Sequence, residues 1–194
     1  CEGLVGSEMC IRDSSGVMKS SQNPKMLWKI LYEISMTNKS FKKDFKLNLI
    51  GSFDKSIHQN KYLKKLKENV IFKDYISKDL LSKNLSTAKV FILCDVNQPD
   101  GGNIIPGKFF HYMSYKIPII AFSSKNSDTS NIVNETKCGN VFDFSNEIDL
   151  KNHILEQYSN FKNGTYLVKP TEIEKYKYSS LSSKLGSLIK KTID

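Results

Sequence analysis

The loop Asp95–Gly107, DVNQPDGGNIIPG, holds the residue types best suited to chemistry. It leaves the apolar run Val90–Cys94, passes Gly101-Gly102, and enters a helix at Pro106. Glycines let a backbone approach a ligand closely. The first-turn N–H groups of a helix lack intrahelical acceptors and carry the positive end of its dipole, which makes such a turn a phosphate site. Lys108 adds a cation inside that turn. The pattern is neither GxGxxG nor a P-loop, so two readings stand side by side: an anion site, or an ordinary Gly-rich connection. Two further loops carry comparable residues, Gly51-Ser52 after the strand Lys46–Gly51 (KLNLIG) and Asp74-Tyr75-Ile76-Ser77. No Ser/His/Asp or Cys/His constellation and no pair of carboxylates on one face supports hydrolysis. Cys1, Cys10, Cys94 and Cys138 show no metal-ligand or oxidoreductase spacing, so the expectation is no metal, no cofactor and a reduced, cytoplasmic setting. Asp95 reads as a loop cap, and His58 and His153, in Lys-rich helical stretches, as surface residues.

The elements that must position these loops alternate. Leu27, Ile30, Leu31 and Ile34 follow helical spacing, so Pro24–Met36 reads as a helix. Tyr62, Leu63 and Leu66 mark another, Val70–Phe72 a short strand, and Ser77 the cap of a helix carrying Leu80, Leu81 and Leu85. Val90–Cys94 (VFILC) and Pro118–Phe122 (PIIAF) are continuous apolar runs, as expected of strands buried on both faces. Pro106–Tyr115 and Asp128–Glu135 read as helices, and Val141–Phe144 as a strand. Two helices close the chain. Ser145 is expected to cap the first, which stops at Asn163-Gly164. The second opens with a capping-box pattern, Thr171–Glu174, and carries Leu181, Leu185, Leu188 and Ile189 on its apolar side. Strands alternating with helices of this length imply βαβ units: one α/β, doubly wound, Rossmann-like domain with a helical tail.

The chain has 194 residues, 39% hydrophobic and 25% charged, enough for one core. No apolar run approaches the ~20 residues that span a bilayer, and no secretory signal pattern is present. The net charge is +9, but the lysines are scattered among acids and no nucleic-acid-binding signature accompanies them, so nucleic acid is not expected as a partner. Peripheral contact with a polyanionic membrane surface stays open. The single Arg, Arg12, lies in Cys1–Ser14 (CEGLVGSEMCIRDS) with half the cysteines, whereas every other basic residue is Lys. That stretch resembles translated sequencing-adapter read-through at the end of a metagenome-derived fragment. Residues 1–14 are therefore read as a non-native segment and set aside from the fold, the alternative being an ordinary N-terminal strand, for which Gly3-Leu4-Val5-Gly6 could pass. Residues 15–168 are expected to form the binding domain and residues 169–194 the closing helix.

The run Gly102–Ile120, GNIIPGKFFHYMSYKIPII, resembles the donor-site segment of GT-B glycosyltransferases of the family 4 type. The similarity extends to Lys46–Asp54, Val70–Ser77, Asn131–Phe144 and the two closing helices, in order and spacing. The resemblance implies the C-terminal, nucleotide-sugar donor domain of a two-domain enzyme. Sugar would pass from a UDP-, GDP-, ADP- or dTDP-linked donor to an acceptor hydroxyl, in cell-envelope polysaccharide or lipopolysaccharide assembly at the cytoplasmic face of the membrane. By the same resemblance Asn103, Ile104, Ile105, Pro106 and Gly107 would meet the donor's sugar and diphosphate, and Gly51 and Ser52 would flank the diphosphate. Tyr75 and Ile76 would border the base. His111 stands where the family usually carries a ribose-binding Glu, and Gln22 where an Arg is common. A neutral imidazole offers one acceptor and one donor where a carboxylate accepts from two hydroxyls. Lys19, Lys25 and Lys108 are the candidate diphosphate cations. The acceptor site and any base would belong to a missing N-terminal domain, against which the long closing helix would pack, leaving the present chain inactive alone and that helix's apolar side partly exposed. Two alternatives stand: a non-catalytic nucleotide- or sugar-binding module, and an interaction domain without ligand.

Overall fold

The computed structural model describes residues 8–13, 16–96 and 104–193. Its strands are β1 (Met9–Asp13), β2 (Val17–Met18), β3 (Phe45–Ile50), β4 (Ser52–Phe53), β5 (Val70–Lys73), β6 (Val90–Cys94), β7 (Ile119–Phe122) and β8 (Gly139–Phe142). Six of them form one parallel sheet in the order β5-β3-β1-β6-β7-β8, and β2 and β4 make a separate two-residue ladder. Counted along the main sheet alone this is the 3-2-1-4-5-6 order of a doubly wound fold, with its switch point between β1 and β6. The helices are α1 (Lys25–Thr37), α2 (Lys39–Asp44), α3 (Lys55–His58), α4 (Lys61–Lys65), α5 (Lys78–Ser86), α6 (Lys108–Met113), α7 (Asp128–Thr136), α8 (Glu147–Lys162) and α9 (Tyr178–Ile193).

Alternation along the central strands builds two cores, because successive side chains leave a strand on opposite faces. Val90, Ile92 and Cys94 of β6 join Trp28, Phe41, Phe45 and Ile154 on one side. Phe91 and Leu93 face the other, with Phe109, Tyr112 and Val133. Phe91 stacks on Tyr112 at 4.3 Å between centroids, which fixes α6 against the sheet. Burial of both faces is why VFILC and IIAF are uninterrupted apolar runs.

The structure corrects several boundaries. Met9–Asp13 is not outside the fold: it lies between β3 and β6, with Met9 and Ile11 fully buried. A strand slot flanked on both sides accepts a short extended run whose core-facing residues are apolar, and Met9, Cys10 and Ile11 meet that condition. β8 begins two residues before the expected start, at Gly139, where a Cβ would stand 2.0 Å from the Ile119 carbonyl oxygen, and ends at Phe142. Asp143 accepts hydrogen bonds from the Ser145 N–H and hydroxyl, so the cap of α8 passes to Asn146, whose side chain accepts from the Asp149 N–H. The last helix starts at Tyr178, because Glu172 takes a left-handed φ of +58° that breaks the expected capping box, and Ile173–Tyr176 form a 3-10 turn. Leu181, Leu185, Leu188 and Ile189 are 47% to 58% exposed.

Candidate functional site

The first wall of the site is a glycine contact. Gly51 turns the chain after β3 with φ +123°, and a Cβ there would lie 2.3 Å from the Gly16 oxygen. The Ser52 N–H donates to the Gly16 carbonyl at 3.0 Å, the Gly51 N–H to Lys73 at 2.8 Å, and the Asp54 N–H to Met18 at 3.0 Å. The ends of β2, β4 and β5 are thus clamped together. A cleft of about 480 Å³ opens beside them, between Gly51-Ser52 and Lys73-Asp74-Tyr75, with Phe53, His58 and Phe72 as its aromatic side. Tyr75 is 62% exposed, a large ring left uncovered at the carboxyl ends of the strands. Ile76 follows at partial burial, and the Ser77 hydroxyl caps α5 by accepting the Leu80 N–H. The amides of Gly51 and Ser52 are already hydrogen-bonded to protein. What this wall offers a ligand is close backbone approach, the Ser52 hydroxyl and the half-buried Lys73.

At the switch point the Gln22 side chain crosses from the first loop to β6. Its amide donates to the Cys94 carbonyl at 3.3 Å and its carbonyl accepts the Lys19 N–H at 3.1 Å. Beside it Asp95, 2% exposed, accepts from the Val96 N–H (2.8 Å), the Ser123 hydroxyl (3.0 Å) and the Thr129 hydroxyl (3.3 Å). Asp95 therefore caps its own loop, as its position after a strand suggests, and also ties that loop to β7 and α7. Asn103 lies outside the described residues. Ile104 is exposed, while Ile105 packs against the second core and anchors the loop's exit. α6 is six residues long, shorter than the expected Pro106–Tyr115 segment, with Gly107 at its N-cap and Pro106 accepting the Phe109 N–H.

The family model of group 1 glycosyl transferases matches residues 15–160. The chain belongs to this family. Solved structures share its fold at low identity. Sucrose-phosphate synthase from Thermosynechococcus elongatus aligns with TM-score 0.69 and 16% identity over 98% of this chain and 47% of that one. A TarM variant of S. aureus, in complex with Fondaparinux, alpha-GlcNAc-glycerol and UDP, aligns with TM-score 0.61 and 18% identity over 93% of this chain and 34% of that one. The catalytic domain of cholesterol-alpha-glucosyltransferase from Helicobacter pylori gives 0.59 and 16%, over 90% and 99%. This chain spans about a third of TarM and about half of the synthase. Among curated proteins none matches significantly. The fold is the Rossmann-like α/β fold that these glycosyltransferase structures share.

Within this glycosyltransferase domain the expected site residues separate into groups. Gly51, Ser52 and Tyr75 share the cleft just described. Gly107 and His111 instead line a larger apolar groove of about 660 Å³ between α6 and the start of α9, with Phe110, Tyr176 and Leu181. The His111 ring meets Tyr115 edge-on at 5.2 Å, and its Nε2 lies 3.4 Å from the Tyr115 hydroxyl. Lys25 borders a different depression of about 200 Å³, beside Ser20 and Phe144, Lys19 is exposed on the first loop, and Lys108 is half-buried in α6. His58 and Lys73 belong to the Tyr75 cleft although neither stood out in the sequence. His153 is not a surface residue: it is 8% exposed, packs its ring 5.2 Å from Phe142, and has an unpartnered Nε2. Burial pushes its pKa below the usual histidine value, against the pull of Glu156. Its burial is legible in hindsight, since Leu150, His153, Ile154, Gln157 and Tyr158 fall on one helical stripe. Among the described residues no group of three metal-ligating side chains comes together, and no helix is long and apolar enough to cross a membrane.

Proposed function

We propose that this chain is the donor-binding domain of a two-domain glycosyltransferase. It would hold a UDP-, GDP-, ADP- or dTDP-sugar while the other half presents an acceptor hydroxyl. The observation that carries this reading is the Gly51–Tyr75 cleft at the carboxyl ends of β3 and β5, where doubly wound sheets bind ligands. Structures of similar fold hold such ligands: TarM with UDP, and HepE from Anabaena with UDP and with UDP-glucose. WaaG, of similar fold, is involved in lipopolysaccharide biosynthesis, which supports a role in envelope polysaccharide assembly; the cytoplasmic membrane face is the place proposed for it.

In the reaction the bond between the anomeric carbon and the diphosphate breaks, and a bond to the acceptor oxygen forms. The acceptor proton leaves to a base on the other half. This domain's task is the departing diphosphate, whose growing charge is stabilised by fixed dipoles and cations. The Ser52 hydroxyl, Lys73, and the Asn103–Lys108 segment with Lys108 are the groups assigned to it, and Lys19 or Lys25 would need the first loop to turn toward the cleft. The exposed leucines of α9 fit a helix that packs against that other half. The chain alone then binds donor weakly and transfers nothing.

A second reading, a nucleotide- or sugar-binding module without activity, draws on His111, which leans on Tyr115 and borders the α6–α9 groove. A thermal-shift panel with UDP, GDP, ADP, dTDP and their sugar conjugates tests both. Ligand at 100 times its Kd adds about 2.7 kcal/mol, worth about 5–10 °C in a domain of this size. A shift for one nucleotide supports the donor reading, and a further rise for His111→Glu supports a functional ribose subsite. A flat panel for both proteins contradicts the donor reading.

A further inference from the structure

We infer that His58 and Tyr75 form the two walls of a slot that stacks the heterocyclic base of the nucleotide, which makes His58 a base-binding residue that sets nucleotide affinity. This rests on the donor reading above. His58 ends α3, whose placement is fixed at both ends of one turn. Asp54 accepts the Ser56 N–H at 2.9 Å at its start, and Ile57, wholly buried, pins it to the core. The His58 ring is then braced by two others: it tilts 36° over Phe72 at 4.6 Å and meets Phe53 edge-on at 6.2 Å. Phe53 and Phe72 themselves pack edge-to-face at 5.6 Å. The aromatic trio spans the end of β4, the end of β5 and α3, so the histidine is held by packing alone. Its ring nitrogens make no hydrogen bond or ion pair among the described residues.

Tyr75 borders the same cleft, and its ring contacts no other aromatic side chain among the described residues. His58, Phe72 and Tyr75 are exposed rings of one cleft, His58 braced by Phe72 and Phe53 and Tyr75 uncovered, an arrangement that invites a further planar ring. Offset stacking of this kind is favourable and tolerant of base identity, because every base has a π-face. The same cleft is lined by Gly51, Ser52, Lys73 and Asp74, of which the Ser52 hydroxyl and Lys73 are the groups able to meet the phosphates of a base so placed. A base-free anion would use those groups and leave His58 untouched.

The experiment is a ligand-observed NMR titration of the 194-residue chain with UDP, GDP, ADP and dTDP, and with pyrophosphate and ribose 5-phosphate as base-free probes. For the nucleotide that binds tightest, His58→Ala is expected to weaken affinity about 5- to 150-fold. His58→Phe should keep most of it, and both variants should hold pyrophosphate and ribose 5-phosphate as the parent does. Circular dichroism checks that the variants fold, which the exposure of His58 favours. Unchanged nucleotide affinity in His58→Ala, or an equal loss for the base-free probes, overturns the slot while leaving the donor reading intact. If the parent chain binds none of the four nucleotides, the donor reading itself fails and takes the slot with it.

Discussion

Replacing Gly51 with alanine should cost this domain a large share of its stability. The φ of +123° at Gly51 is one that side-chain-bearing residues rarely adopt, and holding it costs about 1–3 kcal/mol. The added Cβ would also stand 2.3 Å from the Gly16 oxygen and 2.8 Å from its nitrogen, where contacts under 3.0 Å essentially never occur. The two backbones must part by about 0.7 Å. That would stretch the 3.0 Å bond from the Ser52 N–H to the Gly16 carbonyl beyond hydrogen-bonding range, forfeiting a further 0.5–1.5 kcal/mol, roughly. The sum is about 1.5–4.5 kcal/mol, against a total of about 5–15 kcal/mol for typical domains. Gly164→Ala is the internal control: its φ is +71°, nothing lies within 4 Å of its Cβ, and it should cost only about 1–2 kcal/mol. Urea unfolding followed by far-ultraviolet circular dichroism measures both. A Gly51→Ala loss no larger than that of Gly164→Ala would refute the claim that this backbone contact builds the wall of the cleft.

Four other substitutions probe the surroundings. His153 is held neutral by burial, so its folded-state pKa lies below the unfolded value and the unfolded chain binds the proton more readily. Its contribution is complete above about pH 6.5 and is lost as pH falls from there toward the folded pKa. His153→Phe should flatten the decline in Tm between pH 7.5 and 5.5, and an unchanged slope would contradict that assignment. Asp95→Ala strips the acceptor from one N–H and two hydroxyls and should cost about 2–4 kcal/mol in urea unfolding, whereas a loss under about 0.5 kcal/mol would mean the loop is held by other contacts. Leu185→Gln and Leu188→Gln, on the exposed side of α9, should change stability by less than about 0.5 kcal/mol. A loss above 1.5 kcal/mol, roughly, would show that face to be packed in this chain.

What could be read from residues alone was whatever periodicity or a local cap determines. The buried strands β6 and β7, helix α1 after Pro24, and the Ser77 cap all follow from short-range pattern. β1 could not be read that way, because Met9–Asp13 becomes a strand by filling a slot between β3 and β6, a tertiary circumstance in a stretch whose composition looked foreign. The start of β8 depended on backbone contact between Gly139 and Ile119, partners twenty residues apart. The site divides along the same line. Gly51, Ser52 and Tyr75 lie in loops after apolar runs, and the sequence marks them. His58 joins Phe53 and Phe72 only when α3 folds back beside β5, and no spacing announces it. The α6 region shows the opposite case, where a strong motif locates a segment but its His111 faces Tyr115 and the α9 groove rather than the Tyr75 cleft.

The central claim is that a nucleoside diphosphate sits between Gly51-Ser52 and Tyr75. The most direct measurement is a chemical-shift titration of the isotope-labelled 22.1 kDa chain with the four nucleoside diphosphates. The account predicts saturable shifts at Gly51, Ser52, Phe53, Tyr75 and Ile76, with Lys25 and the α8 stripe unaffected. Saturable shifts confined to the α6–α9 groove, or no shifts with any of the four nucleotides, would contradict it.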